Sequence, residues 1–272
     1  MRIKIGRKTI GAGQPVLIVA ELSANHNMDY SVAVRTLKAM KAAGADAVKI
    51  QTYTPDTITI DCDLPAFKIK HGTLWDGQTL YSLYKKAYTP WEWQPKLKKL
   101  AEKLGLIFFS TPFDFTAVDF LEKIKVPAYK IASFEITDIP LIEYAASKGK
   151  PMFLATGIAR LEDIKEAIAA CRRAGNRKVV LLKCTSSYPA PYEDANLAVM
   201  ADLASRFGVI TGLSDHTPGI AAPIAAAALG AAAIEKHFIL ARKLGGPDAA
   251  FSLEPAEFKA MADGIRAAEK AV

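Results

Sequence analysis

Residues 209–237 read VITGLSDHTPGIAAPIAAAALGAAAIEKH. The segment begins with a short apolar run, Val209–Leu213, continues through an alanine-rich stretch, and ends with a second apolar run, Ala233–His237. Short runs of this kind are typical of strands that are buried on both faces, and parallel strands need a helical crossover between them. The segment therefore predicts one strand, a helix and a second, parallel strand.

The same unit recurs along the whole chain. The predicted strands are Val16–Ala20, Ala47–Ile50, Ile107–Ser110, Ala128–Ile131, Met152–Ala155, Val179–Lys183, Val209–Leu213 and Ala233–His237. The predicted helices are Ser31–Ala43, Pro95–Leu104, Thr116–Lys123, Ile139–Ser147, Leu161–Ala174, Ala195–Arg206, Ile220–Leu229 and Pro255–Lys270. Eight units in unbroken alternation predict an α/β fold, a (β/α)8 TIM barrel, which typically needs about 250 residues. We expect residues 1–272 to form this single domain.

Two segments lie outside the repeat. Residues 1–14 are expected to form an N-terminal β-hairpin that covers the lower end of the barrel. Residues 52–94 form a long loop insertion after the second strand, rich in aromatic residues, and loops of that length in a compact domain are commonly functional. We expect the insertion to close over a substrate, with His71 as an ordinary loop residue.

Composition excludes several classes of protein. The net charge of +7 lies mostly on helix faces, without a basic tail or a nucleic-acid motif, so nucleic-acid binding is not expected. There is neither a secretory signal nor an apolar run of the ~18 residues that a membrane span needs. Three cysteines at unrelated spacings indicate neither a disulfide framework nor a zinc site. These features fit a cytoplasmic enzyme of small anionic substrates.

Polar residues are concentrated where the predicted strands end. In barrel enzymes the chemistry lies at this end, and burying several polar groups together is costly unless a ligand or a metal satisfies them. The residues at these positions are Glu21, Lys49, Gln51, Ser110, Thr111, Lys130, Ser133, Thr156, Lys183, Thr185, Ser214, Asp215, His216, Glu235, Lys236 and His237.

Two histidines end neighbouring strands, His216 after the seventh and His237 after the eighth. Both imidazoles can therefore reach one divalent cation and leave coordination positions open for substrate and water. Glu235, two residues before His237, is expected to orient that ligand or to add a further one. Glu21, at the end of the first strand, is the natural general base.

Two lysines, Lys49 and Lys130, end the second and fourth strands. Together with hydroxyl groups they would bind a phosphate and a carboxylate; the hydroxyls are those of Ser110, Thr111, Ser133 and Ser214. In a second interpretation Lys130 or Lys183 is a Schiff-base nucleophile, although an enzyme of that kind needs no metal. Cys184 follows Lys183 and is expected to face away from it as a buried structural thiol.

Several motifs resemble those of the sialic acid synthase superfamily over essentially the whole chain. They are Ala20-Glu-Leu-Ser-Ala-Asn-His26, Val48-Lys-Ile-Gln-Thr52, Phe109-Ser-Thr-Pro-Phe113, Ala128-Tyr-Lys-Ile-Ala-Ser133, Gly212-Leu-Ser-Asp-His-Thr217 and Glu235-Lys-His-Phe238. The insertion's Gly72-Thr-Leu-Trp-Asp-Gly-Gln78 and Tyr88-Thr-Pro-Trp-Glu-Trp93 resemble the pseudaminic acid synthase branch.

The resemblance implies condensation of phosphoenolpyruvate with 2,4-diacetamido-2,4,6-trideoxy-L-altrose and water, which gives pseudaminic acid and phosphate. It implies that His216 and His237 hold Mn²⁺ or Mg²⁺ and that Glu21 deprotonates the attacking water. Lys49, Thr111, Lys130, Ser133, Ser186 and Ser214 match the positions that bind phosphoenolpyruvate, and Gln51, Tyr188 and Asp248 match those that contact the sugar.

The family resemblance also implies a homodimer. Because the sequence stops at Val272, after the last predicted helix, we expect the family's C-terminal antifreeze-like domain to be absent. Three alternatives stay open at this point. They are N-acetylneuraminate synthesis from N-acetylmannosamine, a non-catalytic barrel that binds phosphoenolpyruvate, and the metal-independent Schiff-base aldolase.

Overall fold

The computed structural model describes residues 1–70, 72 and 74–272; His71 lies outside these residues. Eight parallel strands form a closed barrel in which the last strand pairs with the first and every other strand pairs with its neighbours in sequence. The barrel strands are β3 (Leu17–Glu21), β4 (Ala47–Thr52), β5 (Ile107–Pro112), β6 (Tyr129–Ile131), β7 (Met152–Ala155), β8 (Val179–Cys184), β9 (Ile210–Asp215) and β10 (Ala233–His237). The predicted fold is confirmed.

Helices cover the outside of the barrel between successive strands. They are α1 (Tyr30–Ala42), α4 (Gln94–Lys103), α5 (Phe115–Lys123), α6 (Ile139–Ser147), α7 (Leu161–Arg173), α8 (Val199–Phe207), α9 (Ala221–Ala228) and α10 (Pro255–Ala271). The start of α8 differs most from the prediction, by four residues. Asn196 has a φ of 41°, which a right-handed helix does not allow, so the predicted first turn at Ala195 cannot form. Within the described residues, no helix is both long and apolar enough to cross a bilayer.

The hairpin and the insertion take the predicted places. Strands β1 (Arg2–Ile5) and β2 (Lys8–Gly11) pair antiparallel, and their isoleucines pack into the lower end of the barrel interior. The insertion contains two short α-helices, α2 (Pro55–Ile58) and α3 (Leu80–Ala87), which the sequence pattern did not predict. Its tip is tied to the opposite side of the mouth, because the Trp75 indole donates to the Pro247 carbonyl over 2.9 Å.

Apolar side chains form two separate layers. Alternate residues of each strand point into the barrel or out toward the helices, as the two-residue period of a strand requires. On β3, Leu17 and Val19 belong to the inner cluster, whereas Ile18 and Ala20 belong to the outer one. The same alternation decides which polar residues reach the mouth.

The inner layer leaves no space for a side chain at Gly212 on β9. A Cβ there would lie 2.3 Å from the Ala233 carbonyl oxygen of β10, which is backbone and cannot move aside. We expect Gly212→Ala to lower the free energy of unfolding by about 1–3 kcal/mol, the usual cost of overpacking a core. Guanidinium unfolding would measure it, with Ala225→Ser on the exposed face of α9 as the control. Equal unfolding free energies for both variants would contradict this account.

Candidate active site

The barrel register turns one set of strand-end residues inward. Glu21 of β3 pairs in register with both Lys49 of β4 and His237 of β10, and all three continue the inward-facing series of their strands. Because neighbouring strands place inward residues at the same level, acidic, basic and imidazole groups from different parts of the chain meet at one mouth.

Two lysines and two glutamates form a buried charge cluster at this mouth. Glu21, Lys49, Lys130 and Glu235 are each at most 4% exposed. Lys49 Nζ lies 2.6 Å from Glu21 Oε2 and 3.6 Å from Glu235 Oε1, and Lys130 Nζ lies 2.8 Å from the same Glu235 oxygen. Ser214 Oγ donates to Glu235 over 3.2 Å. Glu235 therefore joins the two lysines, and it is not directed at His237 as the sequence suggested.

The two glutamates differ in proton affinity. Burial raises the pKa of Glu21 to about 7, against the effect of Lys49 and with a further contribution from Glu235. Burial acts on Glu235 in the same direction, but Lys130 and Lys49 outweigh it and lower its pKa to about 2. Glu235 is thus a fixed anion, whereas Glu21 can exchange a proton near neutral pH, as a general base requires.

Hydroxyl groups lie beside the two lysines. Thr111 Oγ1 accepts a hydrogen bond from Lys49 over 3.2 Å, and Ser133 Oγ accepts one from the Gly157 amide over 3.1 Å. Ser186 Oγ is buried and has no hydrogen-bond partner among the described residues. A Cβ on Gly157 would lie 2.2 Å from Ser186 Oγ and 2.7 Å from Ser133 Oγ. The two lysines and these hydroxyl groups are the candidate anion pocket, and a side chain at position 157 would displace both serine hydroxyls.

The two histidines meet as the sequence predicted, with ring centroids 5.3 Å apart. The Thr185 carbonyl accepts from His216 Nδ1 over 3.0 Å, so the neutral form of this ring has its lone pair on Nε2. His237 Nδ1 is buried without a hydrogen-bond partner in the described part of the chain, and it lies 3.9 Å from Asp248 Oδ2. Burial lowers the pKa of His237 well below its usual range, and His216 and nearby lysines lower it further, so this imidazole is neutral.

This donor set fits a divalent metal with two protein ligands. Neutral imidazole is the form that binds metals, and a carbonyl bonded to the second ring nitrogen is the usual way of orienting such a ligand. No cluster of three or more acidic, histidine or cysteine side chains suited to a metal occurs in residues 1–70, 72 and 74–272. Water and substrate would have to supply the other ligands, as in a catalytic site.

The residues expected to contact the sugar lie around these histidines. The Tyr188 ring packs on His216 with centroids 4.4 Å apart and on Phe251 at 5.2 Å. Gln51 Nε2 donates to Ser23 Oγ over 3.1 Å. Asp248 accepts from the Ala24 amide over 3.3 Å, and burial raises its pKa, against the effect of a hydrogen bond from Ser23.

Ser23 is a functional residue that the sequence analysis missed. It is 5% exposed and has a φ of 44°, a left-handed conformation that is uncommon for a residue with a side chain. That conformation holds its hydroxyl between Gln51 and Asp248. The only signal available was its place in the motif that follows the first strand.

Glu135 is a second residue that the sequence analysis missed. It lies two positions after Ser133, and its Oε2 is buried without a partner among the residues described. Burial raises its pKa to about 7, with Lys130 opposing the rise. Burial raises the pKa of Tyr84 in α3, and the charge of Glu135 adds to this rise. The helix-like turn at Ser133–Glu135 was not visible in the sequence pattern.

Strand alternation turns several of the expected mouth residues away, among them Ser110, Thr156 and Thr185. Ser110 faces the outer layer, where it bonds to Thr52 Oγ1 at 2.6 Å and to the Ile50 carbonyl at 3.0 Å, so it does not join the anion pocket. Thr156 and Thr185 donate to the carbonyls of Leu182 and Asp194.

The expected roles of Lys183 and Cys184 are reversed. Lys183 points outward, where its amine bonds to Thr185 Oγ1 over 2.9 Å. Cys184 points inward, with its sulfur 3.8 Å from His216 Nδ1. Because inner residues of β8 are Val180 and Leu182, the next inward position is Cys184. Cys184 is buried and faces away from Lys183 as expected, but it is Cys184 that points into the mouth, and Lys183 is not placed for a Schiff base there.

Comparisons with known proteins show the family of this chain. The model of the NeuB family matches residues 36–272. The pseudaminic acid synthase of Helicobacter pylori is 52% identical over 253 residues, which cover 93% of this chain and 74% of the relative. The N,N'-diacetyllegionaminic acid synthase of Legionella pneumophila is 39% identical over 268 residues, covering 97% of this chain and 75% of the relative.

A solved structure gives the same result for the fold. The N-acetylneuraminic acid synthetase of Leptospira borgpetersenii, in complex with citrate, superposes with a TM-score of 0.89 at 32% identity, covering 100% of this chain and 90% of that one. The family model, the sequence relatives and this superposition agree with the resemblance found in the sequence. The chain belongs to the NeuB family.

Proposed function

We propose that this protein is a metal-dependent enzyme that condenses phosphoenolpyruvate with 2,4-diacetamido-2,4,6-trideoxy-L-altrose and water, forming pseudaminic acid and phosphate. The proposal rests on the arrangement of side chains at the mouth of the barrel. Two buried lysines lie beside serine and threonine hydroxyl groups and a buried carboxyl group with a pKa of about 7, and the imidazoles of His216 and His237 lie side by side. Each of these parts has a task in the reaction.

The anion pocket suits phosphoenolpyruvate, which carries a carboxylate and a phosphate. Lys49 and Lys130 supply positive charge, while Ser186 and Ser133 supply hydroxyl groups. Charge-assisted hydrogen bonds to phosphate and carboxylate oxygens are the strong ones inside a protein. Glu235 holds both ammonium groups at the same level, so the ligand meets a preorganised pair of cations.

His216 and His237 would hold Mn²⁺ or Mg²⁺. Bound there, the cation would act as a Lewis acid on the carbonyl oxygen of the open-chain sugar. The protein's own part is to keep His237 neutral and to orient His216 through the Thr185 carbonyl. Asp248, Gln51 and Tyr188 line the side from which the sugar approaches.

Two carboxyl groups handle the protons. When C3 of phosphoenolpyruvate attacks the aldehyde carbon, the aldehyde oxygen becomes a hydroxyl group and C2 becomes cationic. We assign this proton to Glu135, which is protonated below its pKa of about 7. Ionised Glu21 takes one proton of the water that adds to C2. The bond between C2 and the phosphate oxygen then breaks as the new hydroxyl group becomes the ketone, and the proton of that hydroxyl leaves with the phosphate.

The choice of sugar rests on the relatives. The pseudaminic acid synthase of Helicobacter pylori is more similar to this chain than the legionaminic acid synthase of Legionella pneumophila. N-acetylmannosamine, the substrate of the neuraminate alternative, lacks the second acetamido group and keeps the C6 hydroxyl. The proposal further includes a homodimer, from the family resemblance, and a cytoplasmic location, which three free cysteines and a cytoplasmic substrate support.

The first prediction concerns the reaction. With Mn²⁺, the protein should release inorganic phosphate from phosphoenolpyruvate when the diacetamido altrose sugar is added, and far more slowly with N-acetylmannosamine. EDTA should stop the release, and Glu21→Gln, which keeps the shape of the side chain without its charge, should abolish it. Binding of phosphoenolpyruvate without phosphate release from either sugar would favour the non-catalytic alternative. EDTA-resistant turnover with borohydride trapping of Lys130 would favour the aldolase.

The second prediction concerns Gly157. Gly157→Ala places a methyl group against Ser186 and Ser133, so the KM for phosphoenolpyruvate should rise by at least about tenfold, the effect of ~1.4 kcal/mol. Gly264→Ala in α10, whose methyl would lie 2.5 Å from Ile224 Cδ1, is the matched control, since it crowds the helix layer far from the mouth. A KM that changes equally in both variants would exclude Gly157 from the pocket.

The third prediction concerns the pH profile. Because Glu135 must be protonated to donate, kcat/KM should fall as pH rises through about 7. Glu135→Gln should remove this fall and lower kcat by about 10²–10⁴-fold, the usual contribution of general acid catalysis. Glu143→Gln, at an exposed ion pair with Arg173, is the control and should keep the wild-type profile. An unchanged alkaline limb in Glu135→Gln would refute the assignment.

A further inference from the structure

A buried ion pair lies directly behind the two histidines. Asp215 of β9 and Lys236 of β10 are register partners, and they immediately precede His216 and His237. Since neighbours in a strand point to opposite faces, the ion pair faces the helix layer while the imidazoles face the mouth. Lys236 is fully buried and Asp215 is 3% exposed.

The pair fixes the turn that carries His216. Lys236 Nζ donates to Asp215 Oδ2 over 2.5 Å and also to the Thr217 carbonyl. Asp215 accepts from the Thr217 amide over 3.1 Å and from its hydroxyl over 3.0 Å. The two hydrogen bonds from Lys236 therefore hold the residues on both sides of His216 to the strand that carries His237, and the other two join those residues to each other.

Stability alone gives no reason for this arrangement. The outward neighbour of Lys236 on the same strand is Ile234, which packs in the apolar layer, and an apolar residue is what packing favours at such a position. Replacing a buried ion pair with apolar residues is often neutral or stabilising, so a buried pair is better explained by the geometry it specifies. Here the geometry is the distance between two adjacent strand ends.

We propose that Asp215 and Lys236 are positioning residues that set the separation of the His216 and His237 imidazoles for a divalent metal. The inference rests on the metal-dependent function proposed above. Asp215 and Lys236 point away from the mouth and cannot touch the metal, but through the backbone they support the two residues that would bind it. A cross-strand pair suits this task because it fixes both ligand-bearing backbones relative to one another, whereas a bond within one strand would fix only one.

The test is the affinity of the full chain for Mn²⁺, followed by the electron paramagnetic resonance signal of the free ion. Lys236→Met should weaken Mn²⁺ binding by about 10–100-fold, the usual effect of losing a residue that supports a metal ligand. Thr217→Val, which removes one hydroxyl and keeps the shape, should fold normally and weaken binding less. His237→Ala should abolish binding. In Lys236→Met and in Thr217→Val the Mn²⁺ concentration needed for turnover should rise, and saturating Mn²⁺ should restore much of kcat.

The matched control is Asp46→Asn. Asp46 is 13% exposed and pairs with Arg266 at the opposite end of the barrel, so its loss should lower the melting temperature without changing Mn²⁺ affinity. The double variant Asp215→Leu with Lys236→Met removes both charges; it should be more stable than Lys236→Met alone yet still bind Mn²⁺ weakly. Wild-type affinity in Thr217→Val and in the double variant would overturn the inference. Failure of the wild-type protein to bind Mn²⁺ would instead overturn the proposed function.

Discussion

The carboxylate of Glu235 is negatively charged, although the residue is only 4% exposed to solvent. The rest of the site depends on the groups that compensate this buried charge. A buried carboxylate is costly unless cations and hydrogen-bond donors surround it, and here two lysines and a serine do so. The same contacts hold Lys49 and Lys130 at one level of the barrel. Lys130 donates to Glu235 and Ser214, which leaves one of the three donors of its ammonium group for a ligand.

The surroundings of the two carboxyl groups in the cluster also give them different protonation behaviour. Burial raises the pKa of both carboxyl groups, but Lys130 and Lys49 outweigh it at Glu235, which remains ionised, whereas at Glu21 burial prevails. Two groups with the same chemistry thus acquire different tasks from their surroundings, one as a structural anion and one as a base. Burial is also the main reason why the pKa of Glu135 is raised.

The loops around the mouth are tied to one another. Asn25 donates to the Phe238 carbonyl and to Ser252, so the loop after β3 holds the loop after β10, which carries Asp248. Trp75 of the insertion bonds to Pro247 of the same loop. Residues that approach the sugar therefore rest on three segments that support each other. Rigid support of this kind is what an active site on loops needs.

Sequence alone determined the fold and the location of the chemistry. Apolar runs that alternate with helical patterns specify a parallel barrel, and polar residues at run ends such as Glu21, His216 and His237 specify its active end. Motifs such as Gly212-Leu-Ser-Asp-His-Thr217 carried the family resemblance. The long insertion was visible as a gap in the repeat, although its two short helices were not.

Only the tertiary structure decided which of two adjacent strand-end residues faces the mouth. A strand's alternation has two possible phases, and the register of the closed barrel selects one of them. It turns Ser110 and Lys183 outward and Cys184 inward, and it pairs Asp215 with Lys236 behind the histidines. The partner of Glu235 and the roles of Ser23 and Glu135 depend on contacts between distant segments. A sequence pattern cannot contain them, because it records spacing along the chain and not distance across the barrel.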